Sequence, residues 1–190
     1  MKHNKIITTR LRKGKNAFIG KQWPFNPFFR NELHYRFKLG PEWWENDMVW
    51  TSPITWGCKL MTVGRAPSYH RGGMNMGMTV KDGNIVLYPR YYGRRKMYTE
   101  NKLHELSQFP RVIMNQEKWV DVRMVMKPTM QWWVNGEKVH EIDQDSPTSW
   151  FHWMYLGRRG WDLNYPGYDL THNKVARAER DLTVEVEFFK

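Results

Sequence analysis

The sequence is short of several features that define common protein classes. It contains one cysteine, Cys58, which excludes an intrachain disulfide framework and a cysteine-rich zinc module. No apolar run approaches the roughly 18 residues of a membrane-spanning helix, and the basic segment 1–20 lacks the apolar core of a secretory signal. We therefore expect a protein without a membrane span that is synthesised in the cytoplasm. Its final compartment stays open, with association with a virion and export by an unconventional route as the alternatives.

Acidic residues are scarce relative to basic ones. The chain carries 30 Lys and Arg against 19 Asp and Glu, for a formal net charge of +11. A cationic surface attracts polyanions, so nucleic acid, acidic polysaccharide and an anionic membrane surface are all possible partners. A generic basic surface without a specific partner is the alternative. The basic residues are dispersed and match no zinc finger, helix-turn-helix or RNA-recognition signature. The charge therefore predicts the sign of a partner and not its identity.

Aromatic residues, in contrast, are plentiful. They make up 15% of the chain, within a hydrophobic fraction of 41%, and this excludes a disordered chain despite the high charge. A length of 190 residues suits one compact domain and is too short for two of generous size. We expect a single domain over residues 21–190, preceded by a segment 1–20 that is either a basic arm or a first strand.

Helix signals are few, and alternation of apolar and polar residues recurs instead. Alternation between turn residues predicts strands with one buried face, and hence an all-β sandwich or jelly roll. Three segments carry the pattern, with apolar stripes at Leu33, Tyr35, Phe37 and Leu39, at Val120, Val122, Met124 and Met126, and at Leu182, Val184, Val186 and Phe188. Segments with more loop character are 40–58, 64–73, 93–118 and 143–175, and the one helix candidate is 100–108.

Two hairpins are marked by Asp82-Gly83 and Asn135-Gly136, dipeptides that favour type I′ turns. If Asp82-Gly83 forms a two-residue loop, the register of the flanking strands follows. One face, predicted to be core, pairs Val80 with Ile85, Met78 with Leu87, Met76 with Pro89 and Met74 with Tyr91. The opposite face pairs Thr79 with Val86, Gly77 with Tyr88, Asn75 with Arg90 and Gly73 with Tyr92. Because proline cannot donate to the ladder, an edge or a bulge is expected at Pro89.

The second face of this hairpin is unusual for a solvated sheet. It combines Tyr88 and Tyr92 with Arg90 and Asn75, and glycines lie opposite both rings and leave open space. This composition is typical of a cleft that binds a flat anionic ligand. A wet sheet face with aromatic cross-strand pairs is the structural alternative.

Several segments, in order along the chain, resemble jelly-roll polysaccharide lyases. Arg30-Asn31-Glu32-Leu33 resembles the R-x-E-L strand of the alginate-lyase and heparin-lyase-like groups, and FKLGPEWWEND resembles their strand that ends in a tryptophan turn. WGCKLMTVGR is similar to a lysine-bearing strand of the family-14 type alginate and glucuronan lyases. KWVDVRMVM with QWWVNGEKV, and WFHWMYLGRRGWD, resemble later strands. The resemblance covers roughly residues 25–190 and implies a concanavalin-A-like jelly roll of two stacked antiparallel sheets with a concave-face cleft.

The resemblance also implies β-elimination on an acidic, uronate-containing polysaccharide. This reaction needs a group that neutralises the uronate carboxylate, a base that removes the C5 proton and an acid that protonates the leaving oxygen. The hairpin face supplies Arg90 and Asn75 as neutralisers, and Tyr88 and Tyr92 as acid and base. The resemblance adds Lys59 as a carboxylate or base partner.

Further residues are predicted to bind substrate. The resemblance implies Arg30 as a second neutraliser, with Glu32 and His34 following on the same strand. Glu32 is expected to pair with an arginine across the sheet and to hold Arg30 or Arg36 in place. A neighbouring glycine-flanked loop carries cations and an alternative base, His70, and its residues are Arg65, His70 and Arg71.

Tryptophan supplies the last predicted contact. In the adjacent pairs Trp43-Trp44 and Trp132-Trp133, one ring of each is expected in the core and the other outside. An exposed ring such as Trp44 can stack on a sugar. We expect no cofactor and no metal, because no Asp or His cluster has metal-ligand spacing.

Three functions are compatible with these features, and the first is favoured. It is a polysaccharide lyase acting on an acidic glycan. The second is a non-catalytic glycan-binding module for adhesion or surface decoration of a virus or cell. It is supported by the absence of the Gln-x-His pair of alginate lyases and by Cys58 and Met61 in place of a family glycine and proline. The third, a nucleic-acid-binding β-domain that stacks bases on aromatic rings, ranks last because the basic residues form no OB-like or RNA-recognition pattern.

Overall fold

The structure, a computed structural model, is built almost entirely of β-strands. It describes residues 6–13, 22–23, 31–44, 58–64, 73–81, 84–91, 112–114, 118–145, 150–155 and 180–189. The strands in these segments are β1 (Ile6–Leu11), β2 (Gln22–Trp23), β3 (Glu32–Leu39), β4 (Cys58–Gly64), β5 (Met74–Lys81), β6 (Asn84–Tyr91), β7 (Val112–Met114), β8 (Val120–Val125), β9 (Met130–Val134), β10 (Glu137–Ile142), β11 (Trp150–Tyr155) and β12 (Leu182–Phe188). A short 3₁₀ helix spans Pro41–Trp43.

The strands form two six-stranded sheets. Sheet 1 has the order β1-β12-β3-β8-β9-β10, and sheet 2 has the order β2-β11-β4-β5-β6-β7. Neighbouring strands are antiparallel throughout. The chain passes repeatedly from one sheet to the other, so the two sheets are built together around a shared apolar layer. The predicted all-β jelly roll of two antiparallel sheets is confirmed.

The core lies between the inner faces of the two sheets. The apolar stripes of β3, β8 and β12 are buried, and their polar neighbours are not. Sheet 2 contributes buried residues from the other side, among them Met74, Met76, Met78, Ile85 and Leu87. The alternation prediction is therefore confirmed for these strands. It departs at the end of β12, where Phe188 is half-buried at the rim and Glu187 is buried instead.

The register predicted for the Asp82-Gly83 hairpin is confirmed for every described pair, from Lys81 opposite Asn84 to Met74 opposite Tyr91. The remaining pair, Gly73 with Tyr92, lies partly outside the described residues. Among the described residues, β7 pairs with Ile85–Leu87 of β6 and does not reach Pro89, which fits the edge expected there. The missing N–H of proline therefore interrupts no ladder to β7.

The Asn135-Gly136 hairpin is likewise confirmed. Asn135 and Gly136 have φ of 50° and 84°, the two positive values that a type I′ turn requires. Two hydrogen bonds attach the turn to β8, since Asp121 N–H donates to Asn135 Oδ1 at 2.9 Å and Asn135 N–H donates to the Asp121 carbonyl at 3.0 Å.

Two segments predicted as loops contain strands. β7 lies within 93–118 and β11 lies within 143–175. β11 reads WFHWMY, a run with too little alternation for a period-two pattern to reveal it, and β7 is only three residues long. Of the two alternatives for residues 1–20, a strand is present as β1 at the edge of sheet 1. The helix candidate 100–108 lies outside the described residues.

The 3₁₀ helix is attached to β12 through Glu42. The N–H and the hydroxyl of Thr183 both donate to Glu42 Oε1, and Gly40 N–H donates to the Thr183 carbonyl at 3.0 Å. A Cβ at position 40 would collide with Thr183 Oγ1 and the Glu42 carboxylate. Glycine is thus required at position 40 because a side chain would have no space. Its backbone conformation is not the reason, since a φ of −70° is accessible to any residue.

We expect Gly40→Ala to lower the free energy of unfolding by about 1–3 kcal/mol, because the methyl group displaces the Glu42–Thr183 contact. Urea unfolding measures the change. In a Glu42→Ala background the same substitution should cost less, since the contact is already absent. An equal cost in both backgrounds would contradict this explanation.

Candidate active site

Four of the five predicted catalytic residues, Lys59, Asn75, Tyr88 and Arg90, occupy register positions on the face of sheet 2 opposite the core. Gly77 of β5 pairs with Lys59 of β4 on one side and with Tyr88 of β6 on the other. Asn75, two residues along β5, pairs with Thr62 and with Arg90 in the same way. Directly paired residues share a sheet face. Two neighbouring rows across three strands therefore carry a lysine, a tyrosine, an asparagine and an arginine.

A bulge in β4 determines the register position of Lys59. Met61 pairs with Met76, yet Lys59 pairs with Gly77, so two steps along β4 match one step along β5. Without this irregularity, alternation would assign residues 59 and 61 to the same face, the face of Met76 in the core. The bulge at residue 60 therefore aligns Lys59 with Gly77 and Tyr88.

The rows extend onto β11, where the sequence analysis identified no candidate. His152 pairs with Thr62 and therefore joins the row of Asn75 and Arg90, while Tyr155 pairs with Lys59. His152 was missed because β11 was assigned to a loop. If this segment had been predicted as a strand, the polar histidine between Phe151 and Trp153 would have identified it as a candidate.

Asn75 is the buried polar residue of this face. Its side chain is 0% exposed, and neither its amide oxygen nor its amide nitrogen has a hydrogen-bond partner within the described segments. Gly73 and Gly77 are buried as well. An amide without partners is costly to bury, and such groups occur where a ligand completes the hydrogen bonding.

Charge is distributed unequally between the sheets. The strands of sheet 2 contain the basic residues Lys59, Lys81 and Arg90 and no acidic residue. By register, all three belong to the face opposite the core. The strands of sheet 1 contain basic and acidic residues in nearly equal numbers, namely Arg10, Arg36, Lys38, Arg123 and Lys138 against Glu32, Asp121, Glu137, Glu141, Glu185 and Glu187. Within the strands, the positive excess thus lies on the face of Tyr88.

Glu32 and His34, predicted to bind substrate, lie on the outer face of sheet 1, so the structure does not bring them together with Tyr88 and Arg90. Glu32 accepts two hydrogen bonds from Arg123, at 2.7 and 2.9 Å. The expected pairing of Glu32 with an arginine across the sheet is confirmed, but among the described residues this arginine is Arg123 and not Arg36. The reason is sheet order, because β8 is a neighbour of β3 and brings Arg123 beside it.

Two further polar residues of this face are also paired. Arg36 donates to Glu187 at 2.5 Å and lies 4.7 Å from the centroid of the Trp119 ring. His34 Nε2 lies 2.8 Å from a carboxylate oxygen of Asp121. Because Arg36 and Arg123 already have acidic partners, the outer face of sheet 1 offers few cations to a polyanion.

Three pKa shifts belong to sheet 1 and its surroundings. The Lys138 ammonium and then the Thr129 hydroxyl lower the pKa of Glu141 by hydrogen bonding. The pKa of Asp181 is lowered by the Lys13 N–H and then by Arg10. Burial lowers the pKa of His140. These groups lie on or beside sheet 1 and not in the rows of sheet 2.

The tryptophan prediction is confirmed for one pair. Trp132 is buried and Trp133 is half-exposed on the opposite face. Trp43 is buried, but Trp44 also packs against the core from a half-buried position. Stacking of Trp44 on a sugar stays a prediction.

Five predicted site residues lie outside the described residues, namely Arg30, Arg65, His70, Arg71 and Tyr92. Among the segments that are described, no group of three His, Cys, Asp or Glu is placed to hold a metal ion. Those segments also contain no helix with the length and apolarity needed to cross a bilayer.

No family model matches the chain, and no curated protein matches its sequence. Solved structures do match. A mutant of the alginate lyase Aly36B bound to an alginate trisaccharide aligns with a TM-score of 0.53 and 12% identity, over 96% of this chain and 79% of that one. The alginate lyase AlgAT5 of Polysaccharide Lyase family 7 aligns with a TM-score of 0.40 and 8% identity, over 84% of this chain and 60% of that one.

The first likeness concerns the fold. It identifies the two-sheet architecture as a jelly roll like that of a polysaccharide lyase, as the sequence resemblance implied. The finer likeness to family 14 and to the R-x-E-L strand stays a prediction.

Proposed function

We propose that this protein is a polysaccharide lyase that cleaves an acidic, uronate-containing glycan by β-elimination on the outward face of sheet 2. The observation that carries the proposal is the composition of that face. Within the described strands, three basic residues and no acidic one lie on it by register, beside Tyr88 and the buried Asn75, whose amide has no partner among the described residues. A face of this kind favours a ligand with repeated negative charge.

The reaction assigns a role to each row. Arg90 and Asn75 bind the uronate carboxylate. This contact makes the C5 proton more acidic and stabilises the negative charge that develops when the proton leaves. Tyr88 removes this proton, and Lys59, across Gly77 in the same row, favours the phenolate that acts as the base. A double bond forms between C4 and C5 while the bond from C4 to the glycosidic oxygen breaks. Tyr88 or Tyr92 protonates that oxygen.

Incubation with alginate, glucuronan and heparin tests the proposal, because each cut creates an unsaturated uronate that absorbs ultraviolet light. We expect absorbance to rise with at least one of the three. A flat trace with all three would overturn lyase activity, and retention on an acidic-glycan column would then identify a binding module. Tight, strongly salt-dependent binding to single-stranded DNA without glycan binding would instead identify a nucleic-acid-binding domain.

A further inference from the structure

One hydrogen bond crosses the core from sheet 1 to the candidate site. The indole Nε1–H of Trp132, on β9, donates to the main-chain carbonyl of Asn75, on β5, at 3.0 Å. Trp132 is 0% exposed, so the bond is shielded from water. Among the described residues, a second buried indole makes a comparable bond: Trp43 Nε1–H donates to the Thr183 carbonyl at 2.8 Å. That bond stays within the region of sheet 1.

We propose that Trp132 is a positioning residue that holds Asn75 in the orientation needed to bind the substrate carboxylate. The inference rests on the proposed lyase function of the same face. In this role Trp132 touches no substrate, and it acts through the main chain of β5 from the opposite side of the sheet.

This hydrogen bond acts on a peptide plane of β5. The carbonyl of Asn75 belongs to the peptide between Asn75 and Met76, so a donor at its oxygen restricts the rotation of that plane. Within the described segments, the side chain of Asn75 has no hydrogen bond of its own to orient it. Its direction therefore depends on the main chain that carries it, together with packing.

Position matters strongly for a group that binds developing charge. A displacement of about 1 Å by a remote substitution can lower a rate about a hundredfold. Loss of the Trp132 donor permits a smaller displacement of Asn75, for which we expect about a tenfold loss of rate.

Trp132→Phe tests the inference, with Trp43→Phe as the matched control. Both substitutions remove a buried indole donor to a main-chain carbonyl and keep an aromatic ring. We expect Trp132→Phe to lower kcat and kcat/KM together by about tenfold on the polyuronate that the wild-type protein cleaves. Trp43→Phe should leave both unchanged. Equal losses in the two variants would overturn the inference, because they would reflect a general loss of stability.

A double variant gives a second criterion. If Trp132 acts through Asn75, Trp132→Phe should have no further effect on kcat in an Asn75→Leu background. Effects that add would show that Trp132 influences turnover by another route and would overturn the inference.

A spectroscopic readout separates this inference from the proposed function. The side-chain amide resonances of Asn75 should shift in Trp132→Phe and stay in place in Trp43→Phe. If the wild-type protein cleaves none of the polyuronates, the lyase proposal fails, and this measurement still decides whether Trp132 orients Asn75. Unshifted Asn75 resonances in Trp132→Phe would overturn the positioning role even in an active enzyme.

Discussion

Tyr88→Phe is expected to lower kcat on the polyuronate substrate by about a thousandfold while the affinity for the glycan stays close to that of the wild type. The substitution removes one oxygen, so the ring keeps its shape but loses the group that accepts and returns a proton. General acid–base catalysis by a positioned side chain contributes about a hundredfold to ten-thousandfold. Initial rates from the absorbance of the unsaturated product measure the loss, and retention on immobilised substrate measures binding.

The same hairpin offers a matched control, because Tyr91 lies close to Tyr88 on the same strand but on the other face. It pairs with Met74 and packs against the core. Tyr91→Phe therefore removes the same hydroxyl from the inner side of the sheet and should leave kcat unchanged. Tyr92→Phe, in contrast, should reduce kcat strongly, in line with its assignment beside Tyr88. Normal turnover in both Tyr88→Phe and Tyr92→Phe would refute the acid–base assignment.

Asn75→Leu is expected to make the protein more stable and less active at the same time. Burial of an amide whose polar atoms lack partners costs about 1–3 kcal/mol, and a leucine of similar size avoids that cost. Loss of one donor to developing charge lowers kcat by about a hundredfold or more. Thermal unfolding measures the first effect, and initial rates measure the second.

The opposite signs of these two effects make the prediction specific. If Asn75 were a purely structural residue, its replacement would change stability and leave turnover alone. If unrecognised hydrogen bonds held its amide, the leucine would lower both. Met76→Leu, next along the strand on the core face, is a volume-conserving control, and we expect it to leave kcat unchanged.

Much of the local structure was predictable from the sequence. The stripes on β3 and β8 and the register from Met74 to Tyr91 follow from alternation and from the geometry of a two-residue turn. These are short-range effects, because a type I′ turn aligns its own two strands without reference to the rest of the chain. The overall fold followed from the order of several weak motifs.

Other features depended on contacts between distant segments. Alternation did not reveal β11, which is nearly all aromatic or apolar, and His152 was therefore overlooked beside Thr62. The partner of Glu32 was misassigned because strand order in sheet 1, and not proximity along the chain, brings Arg123 beside it. The bulge in β4 and the hydrogen bond from Trp132 to Asn75 cannot be recognised from the sequence of the segments in which they occur.

The sequence by itself determined the sign of the charge, the all-β class and the two faces of the Asp82-Gly83 hairpin. These depend on composition, on a period of two residues and on one turn, all of which are local. Only the tertiary structure decided which strands share a sheet, that Lys59 aligns with Gly77, and that the described strands of sheet 2 bring basic residues and no acidic residue together. The physical reason is that strand pairing and packing across a core join residues far apart in the chain. Their energies depend on the whole set of neighbours, which no single segment encodes.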